Sequence, residues 1–329
     1  MKKEKNKQKN KRRLKFLLFL HIVLFFIWAA AVAYLTWAEK GKEPASLMDK
    51  PEVQQEADTK TRAAAPKNSD GQAADSVEVA PSPDILAQEP ALIDKEIVLT
   101  FPEIESPKLM DRKHSTFGKK VVYIYHTHNR ESFLPYLRNA EQPEEAFHSK
   151  VNVSFVGKML DKALEQQGIG TVSDSADIVG ILEERGIHYG EAYDVSREHV
   201  NEAKRKYRDL DIFLDIHRDS LRKEATTVEV NGDSFAKLLF VVGTGHSQYE
   251  KNYSFASRIH ETLQAHYPGL SKGVLLKDSQ NGNGVYNQDV SPNAIIVETG
   301  GVDNTAEELQ RTVQALAAVL SDVYWHGNK

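Results

Sequence analysis

The segment from Val121 to Ser132 reads VVYIYHTHNRES, and it indicates the fold more clearly than any other part of the chain. Val121–Tyr125 are all apolar, β-branched or aromatic, which is typical of a strand buried inside an α/β sheet. His126 and His128 follow directly, at the carboxyl edge where such sheets bind their ligands. Because they are two positions apart on an extended chain, we expect both imidazoles on one side, with Glu131 returning from the following turn to the same point.

Two later segments end in the same way. The strand-like stretch DIFLDI, from Asp211 to Ile216, runs into His217, and the stretch AIIV runs into Glu298. If the first two strands are parallel neighbours, their carboxyl edges lie about 5 Å apart, within reach of one metal ion. His126, His128, Glu131 and His217 are then the candidates for a zinc shell, and Glu298 is left to act as a base that moves a proton from water to a leaving amine.

From Val121 onward, strand-like and helix-like patterns alternate. Strands are predicted at 121–125, 169–172, 211–216, 226–230, 237–242 and 294–297, and helices at 151–167, 190–208, 250–266 and 304–323. Gly168 ends the first helix, and the strand at 226–230 is polar enough to be an edge or a hairpin. This order predicts an α/β fold with an open, largely parallel sheet and helices on both faces.

Composition limits the chemistry. The chain has 329 residues, 40% of them hydrophobic, which is enough for one domain of about 200 residues and accessory segments. It has no cysteine, so disulfides, thiolate nucleophiles and Cys-ligated metals are excluded. A zinc ion would have to be held by His, Asp or Glu.

The first 38 residues indicate a membrane anchor. Residues 1–15 contain nine Lys or Arg and one Glu, and Phe16–Trp37 contain no charged residue. At about 1.5 Å per residue this apolar run covers about 33 Å, close to a hydrocarbon thickness of about 30 Å. We therefore predict a basic cytoplasmic arm at 1–15, a transmembrane helix at 16–38 and an extracytoplasmic remainder. A cleaved signal peptide is the alternative, because Ala29–Ala31 and Ala33 could form a cleavage site.

Residues 39–114 are predicted to be a flexible extracytoplasmic linker before a catalytic domain at 115–329. The first part of this range is rich in Lys, Glu, Ala, Ser, Asp, Gln and Pro, a composition that buries too little apolar surface to order the chain. Without the basic arm, the chain carries a net charge of −13 with His neutral. A nucleic-acid partner is therefore not expected.

Three motifs resemble the signature blocks of a known family. IYHTHNRES, LDIHRDS and NQDVSPNAIIVETGGVDNTAEE, in this order after a membrane anchor, are similar to blocks of the stage II sporulation protein P family. These proteins are membrane-anchored peptidoglycan hydrolases of endospore-forming bacteria, related in fold to the zinc N-acetylmuramoyl-L-alanine amidases. The resemblance covers about residues 115–325.

The resemblance implies an activity, a place and partners. It implies zinc-dependent cleavage of the amide between N-acetylmuramic acid and the stem peptide, with peptide cross-links as a further target, in cell-wall remodelling during engulfment. It implies a single-pass protein of the cytoplasmic membrane that acts on peptidoglycan together with a lytic transglycosylase and an engulfment membrane protein. A vegetative paralogue is one alternative, because ILEERGIHYGEAYD at 181–194 departs from the family pattern and the chain is shorter than expected. A catalytically idle peptidoglycan-binding scaffold is the other, although such a scaffold has no need of the strand-end histidines and Glu298.

The resemblance also bears on the ligand set. Related amidases place a Gly-His after the first strand, and the alignment falls on His128 instead of His126. Their glutamate ligand lies at the start of the following helix, where residues 148–152 have no counterpart, so Glu131 is expected in its place, with Glu144 or Glu145 as alternatives. His126 and Arg218 are expected to contact the ligands or the substrate.

Overall fold

The computed structural model describes residues 80–93, 114–280 and 282–327. Within these ranges, no helix combines the length and the apolar character needed to cross a membrane. The predicted basic arm and transmembrane helix, and most of the predicted linker, lie outside the described residues.

A mixed six-stranded sheet forms the centre of the domain. Its strands are β1 (Lys120–Tyr125), β2 (Gly170–Ser173), β3 (Ile212–Asp219), β6 (Leu238–Gly243), β7 (Ser271–Lys277) and β8 (Asn293–Gly301), and a separate hairpin pairs β4 (Thr227–Val230) with β5 (Asp233–Ala236). The order in the sheet is β2-β1-β3-β8-β6-β7. All neighbours run parallel except β6 and β8, so the predicted largely parallel sheet is confirmed.

Helices cover both faces of this sheet. They are α1 (Pro83–Ala87), α2 (Ser154–Gln166), α3 (Ile178–Arg185), α4 (Ala192–Lys206), α5 (Lys223–Thr226), α6 (Tyr249–His266) and α7 (Ala306–His326). The main core packs α2, α6 and α7 against alternate residues of the sheet, such as Ile124, Leu214 and Val297. Residues of opposite parity, such as Tyr125 and Phe213, pack against Val200 and Ala203 of α4.

Local sequence accounts for the main elements. β1 is an unbroken apolar run, as a central strand covered on both faces requires, and its last five residues are buried. α7 begins with a capping box in which Thr305 accepts from the Glu308 amide and Glu308 accepts from the Thr305 amide. Helix α3 and strands β5 and β7 were not predicted, because their sequences are short or mostly polar.

Residues 80–93 differ from the predicted linker. Ser82 caps α1, and Leu92 forms an antiparallel bridge with Leu137 and packs on the domain. The carboxylate of Glu89 accepts hydrogen bonds from the amide and hydroxyl of Ser149 at 2.6 and 3.0 Å. This part of the predicted linker is therefore held against the domain by specific contacts.

The register of the central strands places the candidate site. Tyr125 of β1 lies opposite Asp215 of β3, and His217 of β3 lies opposite Glu298 of β8. Because these strands are parallel, their carboxyl ends meet at one edge of the sheet. Both predicted histidine ligands and Glu298 therefore belong to this edge.

Candidate metal centre

Three side chains at the carboxyl edge, His128, Glu131 and His217, lie close enough to share one metal ion. One potential ligand atom from each lies within 4.8 Å of the others. Nδ1 of His128 is 3.7 Å from Oε1 of Glu131, and Nδ1 of His217 is 3.5 Å from Oε2 of the same carboxylate. All three residues are buried. We refer to these residues as the His–Glu–His cluster.

The donor set and spacing of the cluster fit a zinc ion. Two imidazole nitrogens and one carboxylate oxygen are a common protein shell for catalytic zinc. With metal–ligand distances of about 2.0–2.2 Å, neighbouring ligand atoms of a tetrahedral site lie about 3.3–3.6 Å apart. The two nitrogen–oxygen distances, 3.7 Å to Oε1 and 3.5 Å to Oε2 of Glu131, come close to this spacing, one for each oxygen of the carboxylate.

Glu131 is placed by the loop that follows β1. Its amide donates to the carbonyl of His128 at 3.0 Å, which turns the chain back, and it forms an antiparallel bridge with Phe147. Burial raises the pKa of its carboxyl, but the neighbouring histidines and Arg218 outweigh burial and hold the pKa well below its usual range. Glu131 is therefore an ionised carboxylate suited to bind a cation.

The alternative glutamates do not reach the cluster. The carboxylate of Glu145 accepts from the amides of Glu141 and Gln142 at 2.7 and 2.9 Å and so caps its own turn. Glu144 is exposed. Among the described residues, Glu131 is the glutamate that completes the group.

Arg218 supports Glu131 through its backbone and its side chain. Its amide donates to Oε2 of Glu131 at 3.0 Å. Its buried guanidinium donates to the carbonyls of Ser132 and Ala146 and to the hydroxyl of Ser220. The guanidinium thus binds the loops on either side of the Glu131 turn, and its partners are all internal.

His217 lies between two carboxylates. Nε2 of His217 is 3.1 Å from Oδ1 of Asp215, while Nδ1 faces Glu131. Burial lowers the pKa of His217, but the charges and contacts of Asp215 and Glu131 outweigh burial and raise the pKa well above its usual value. The negative potential at this imidazole favours a cation next to it.

His126 lies on the other side of the sheet from His128, contrary to the prediction that both imidazoles share one side. Nδ1 of His126 is 3.0 Å from the carbonyl of Asp174, and a Cβ added at Gly157 of α2 would lie 2.2 Å from Nε2. Burial lowers the pKa of His126 to about 4, so the imidazole is neutral at pH 7. β1 ends at Tyr125 and the chain then turns, so strand alternation does not continue from His126 to His128.

Two tyrosine rings pack against the imidazole of His128. The ring of Tyr189, in the 3₁₀ turn Tyr189–Glu191, stacks on His128 at 4.9 Å between centroids. Tyr193 of α4 meets the same imidazole edge-on at 5.5 Å, and Phe147 contacts Tyr189. Tyr189 and Tyr193 belong to the segment ILEERGIHYGEAYD, which departs from the family pattern and was not predicted to be part of the site.

Glu298 lies next to the cluster, with its Cα paired to that of His217 across β3 and β8. It is buried, yet it is not a member of the three-residue group of potential ligands. This position is compatible with the predicted role of a base that approaches from a third strand.

Asp215 was missed by sequence reasoning. It is fully buried and lies two residues before His217 on β3, so both side chains project from the same face of the strand. The pattern Asp-x-His at the end of a predicted core strand was the signal that could have revealed it.

The fold and the site thus define an α/β domain with a buried His–Glu–His cluster, a possible metal site, at the carboxyl edge of its sheet. Comparison with known proteins identifies the family more closely. The family model for stage II sporulation protein P matches residues 26–321. The chain therefore belongs to the stage II sporulation protein P family.

Individual relatives agree with this assignment. Stage II sporulation protein P of Bacillus subtilis (strain 168) is 48% identical over 217 residues, which is 66% of this chain and 54% of the relative. The chain thus matches about half the length of that relative.

Two solved structures show a more limited likeness. N-acetylmuramoyl-L-alanine amidase from Clostridium difficile 630 aligns with a TM-score of 0.38 and 14% identity, over 64% of this chain and 100% of that one. A metallo-carboxypeptidase from Burkholderia cenocepacia aligns with a TM-score of 0.35 and 14% identity, over 64% of this chain and 57% of that one.

Proposed function

We propose that this protein is a zinc-dependent peptidoglycan hydrolase that cleaves the amide between N-acetylmuramic acid and the stem peptide. The observation that carries the proposal is the His–Glu–His cluster, in which two imidazoles and an ionised carboxylate meet at one point beside a further buried glutamate. Membership of the stage II sporulation protein P family supports cell-wall remodelling in sporulation as the setting.

The residues of the chain divide the chemistry between them. His128, Glu131 and His217 would hold the zinc ion, which when bound lowers the pKa of water and polarises a carbonyl. Glu298 would accept a proton from the attacking water on its carboxylate and deliver it to the nitrogen of the leaving amine. Burial of the ligands limits competing access of bulk water and strengthens these electrostatic effects.

The proposal extends to location and partners. The basic arm and apolar run would anchor the protein in the cytoplasmic membrane with the domain outside, facing peptidoglycan. A lytic transglycosylase that cuts the glycan strands and an engulfment membrane protein are the proposed partners. Cleavage of peptide cross-links is proposed as a second activity of the same site.

Digestion of purified sacculi tests the reaction. The purified full-length chain should release stem peptides with a new free amino terminus on their first alanine, without new reducing sugar ends. A chelator should abolish the release, and zinc should restore it. Sacculus binding without any release, with zinc present, would contradict the proposal and favour the scaffold alternative.

Metal content of variants tests the ligand set. His128→Ala and His217→Ala should each lose bound zinc, whereas His126→Ala should keep it, because His126 faces α2 and not the cluster. His260→Ala is the matched control, since its imidazole lies 2.8 Å from the hydroxyl of Ser271, outside the three-residue group. Loss of zinc from His126→Ala while the protein remains folded would contradict this assignment.

A further inference from the structure

We propose that Asp215 is a positioning residue that fixes the imidazole of His217 for metal binding, and that Thr127 holds Asp215 in place. The inference rests on the proposed metal site but concerns residues outside the ligand set. Asp215 contacts His217 and not the cluster as a whole, so it would act through His217.

Asp215 is a buried carboxylate whose two oxygens both accept hydrogen bonds. Asp215 has no exposed surface, and Oδ1 lies 3.1 Å from Nε2 of His217. The same oxygen accepts from the amide of Thr127 at 2.8 Å, and Oδ2 accepts from the Thr127 hydroxyl at 2.6 Å. A buried carboxylate requires such donors, and here each oxygen has a donor from Thr127.

The position of Asp215 favours one nitrogen of His217 as the site of the proton. Oδ1 of Asp215 lies 3.1 Å from Nε2 without the alignment of a hydrogen bond, and its charge is closer to Nε2 than the Glu131 carboxylate is to Nδ1, so it favours the proton on Nε2. The lone pair is then on Nδ1, the atom that faces Glu131 at 3.5 Å. The imidazole is thus held with its metal-binding nitrogen directed into the cluster, an arrangement that carboxylates often impose on metal-binding histidines.

Thr127 couples both histidine ligands to this arrangement. It immediately precedes His128, and its two hydrogen bonds fasten the end of β1 to Asp215 of β3. Its hydroxyl also lies 2.9 Å from Ser196 of α4, whose oxygen accepts from the side chain of Asn287 at 2.9 Å. The link from Thr127 to Asp215 therefore sets the spacing between the strand ends that carry His128 and His217.

The test measures zinc affinity of the purified full-length chain by competition with a chromophoric chelator. Asp215→Asn keeps the shape and removes the charge, and we expect the dissociation constant for zinc to rise about 10–100-fold. Asp211→Asn is the matched control, because Asp211 is an exposed carboxylate immediately before the same strand, and it should bind zinc as the unaltered chain does.

A second pair of variants keeps the inference testable if Asp215→Asn does not fold. Thr127→Val removes the hydroxyl that donates to Oδ2 of Asp215, and we expect weaker zinc binding. Thr127→Ser restores the hydroxyl and should restore the affinity. If Thr127 only stabilised the fold, its variants would change the melting temperature of the metal-free chain, and Thr127→Ser would not restore the zinc affinity that Thr127→Val lowers.

Nitrogen-15 spectra of labelled histidines supply a direct readout of His217. The zinc-loaded chain should show His217 protonated on Nε2 and without a proton on Nδ1, and a fraction of zinc-loaded Asp215→Asn chains should show the reverse arrangement. Unchanged zinc affinity and tautomer in a folded Asp215→Asn would overturn the inference while leaving the proposed function intact. Absence of zinc binding in the unaltered chain would overturn both.

Discussion

Glu298 is the residue proposed to move a proton without taking part in metal binding. It is paired across the sheet with His217 and buried, but it lies outside the group of residues that could share one ion. A carboxylate bonded to the metal could not also carry a proton between water and a leaving nitrogen. The proposed function therefore assigns Glu298 and Glu131 different tasks.

Replacement of Glu298 by Gln tests this division. Glu298→Gln keeps the size of the side chain but removes the base, so we predict normal zinc content and a rate of sacculus hydrolysis reduced by about 10²–10⁴. Glu229→Gln, on the exposed side of the β4–β5 hairpin, is the control and should leave the rate unchanged. A folded Glu298→Gln that has lost its zinc would show instead that Glu298 is a ligand.

The proximity of the predicted ligand residues could be predicted because each of the two strand ends has its own local sequence signal. His128 and His217 each follow an apolar strand, and parallel pairing brings such ends to one edge. The side on which His126 lies could not be predicted, since it depends on where β1 ends and the turn begins. The contact of Asp215 with His217 is local and could have been predicted, whereas its hydrogen bonds with Thr127, 88 residues away, could not.

At the scale of elements, the contact between β1 and α2 depends on one glycine. Gly157 lies in the interior of α2, where Gly is less favourable than Ala by about 1 kcal/mol. An added Cβ would lie 2.2 Å from Nε2 and 2.5 Å from Cε1 of His126, so the ring and the helix could not keep their positions. The imidazole thus leaves no room for a side chain at position 157 of the helix.

Two variants of this contact should change stability in opposite directions. Gly157→Ala should lower the free energy of unfolding by about 1–3 kcal/mol through overpacking. In a His126→Ala background the ring is gone, so Gly157→Ala should instead raise the free energy of unfolding by up to about 1 kcal/mol. Urea unfolding of the four chains measures the coupling, and equal effects in both backgrounds would contradict the proposed clash.

The amino terminus of α7 depends on the charge of Glu308. Burial raises the pKa of this carboxyl, but hydrogen bonds from the Thr305 amide and from neighbouring side chains outweigh burial and lower the pKa to about 2. Because the folded pKa is depressed, the stabilisation is present above the unfolded value of about 4.5 and is lost as the pH falls toward about 2.

Unfolding measurements at two pH values test this capping role. Glu308→Gln should lower the free energy of unfolding at pH 7 by about 1–3 kcal/mol, and the difference from the unaltered chain should shrink as the pH falls from about 5 to about 2. Glu307→Gln is the matched control, because Glu307 is in the same first turn but exposed. A pH-independent difference would mean that the charge is not the cause.

Long elements were predicted well, including the polar helix at 190–208, whereas the short helix α3 and the partly polar strands β5 and β7 were not. The predicted strand 211–216 falls within β3 apart from its first residue, and the predicted helix 250–266 agrees with α6 to one residue. The sequence of β7, SKGVLLK, begins with two polar residues and a glycine. Most of its residues are only partly buried, so the sequence does not show the apolar pattern of a buried strand. Its place at the sheet edge is fixed by pairing with β6, a long-range contact that local sequence does not encode.

At the scale of the whole molecule, the domain receives support from outside its predicted boundary. Leu92 packs among Leu134, Leu137 and Val302, and the Glu89 carboxylate binds the chain at Ser149. Composition predicts flexibility for long stretches, but it does not reveal a few apolar and acidic residues that match a particular surface. The segment 80–93 is therefore held by the domain, in contrast to the flexibility predicted for it.

The orientation of the whole chain in the cell remains a prediction from the amino-terminal sequence. Nine basic residues precede an uncharged run of 22 residues, and loops rich in Lys and Arg stay in the cytoplasm. The domain from residue 115 onward should then face outward, and it should stay with the membrane fraction because the apolar run is longer than a typical signal-peptide core.

Protease added to intact protoplasts measures this orientation. The domain should be digested, while a cytoplasmic marker protein stays protected until the membrane is opened with detergent. Replacing the basic residues of the arm by Gln should weaken the preference, so that a fraction of the chains becomes protected, because charge next to the span sets its direction. Full protection of the unaltered chain would contradict the outward topology, and release of the domain into the medium without protease would favour the cleaved signal peptide.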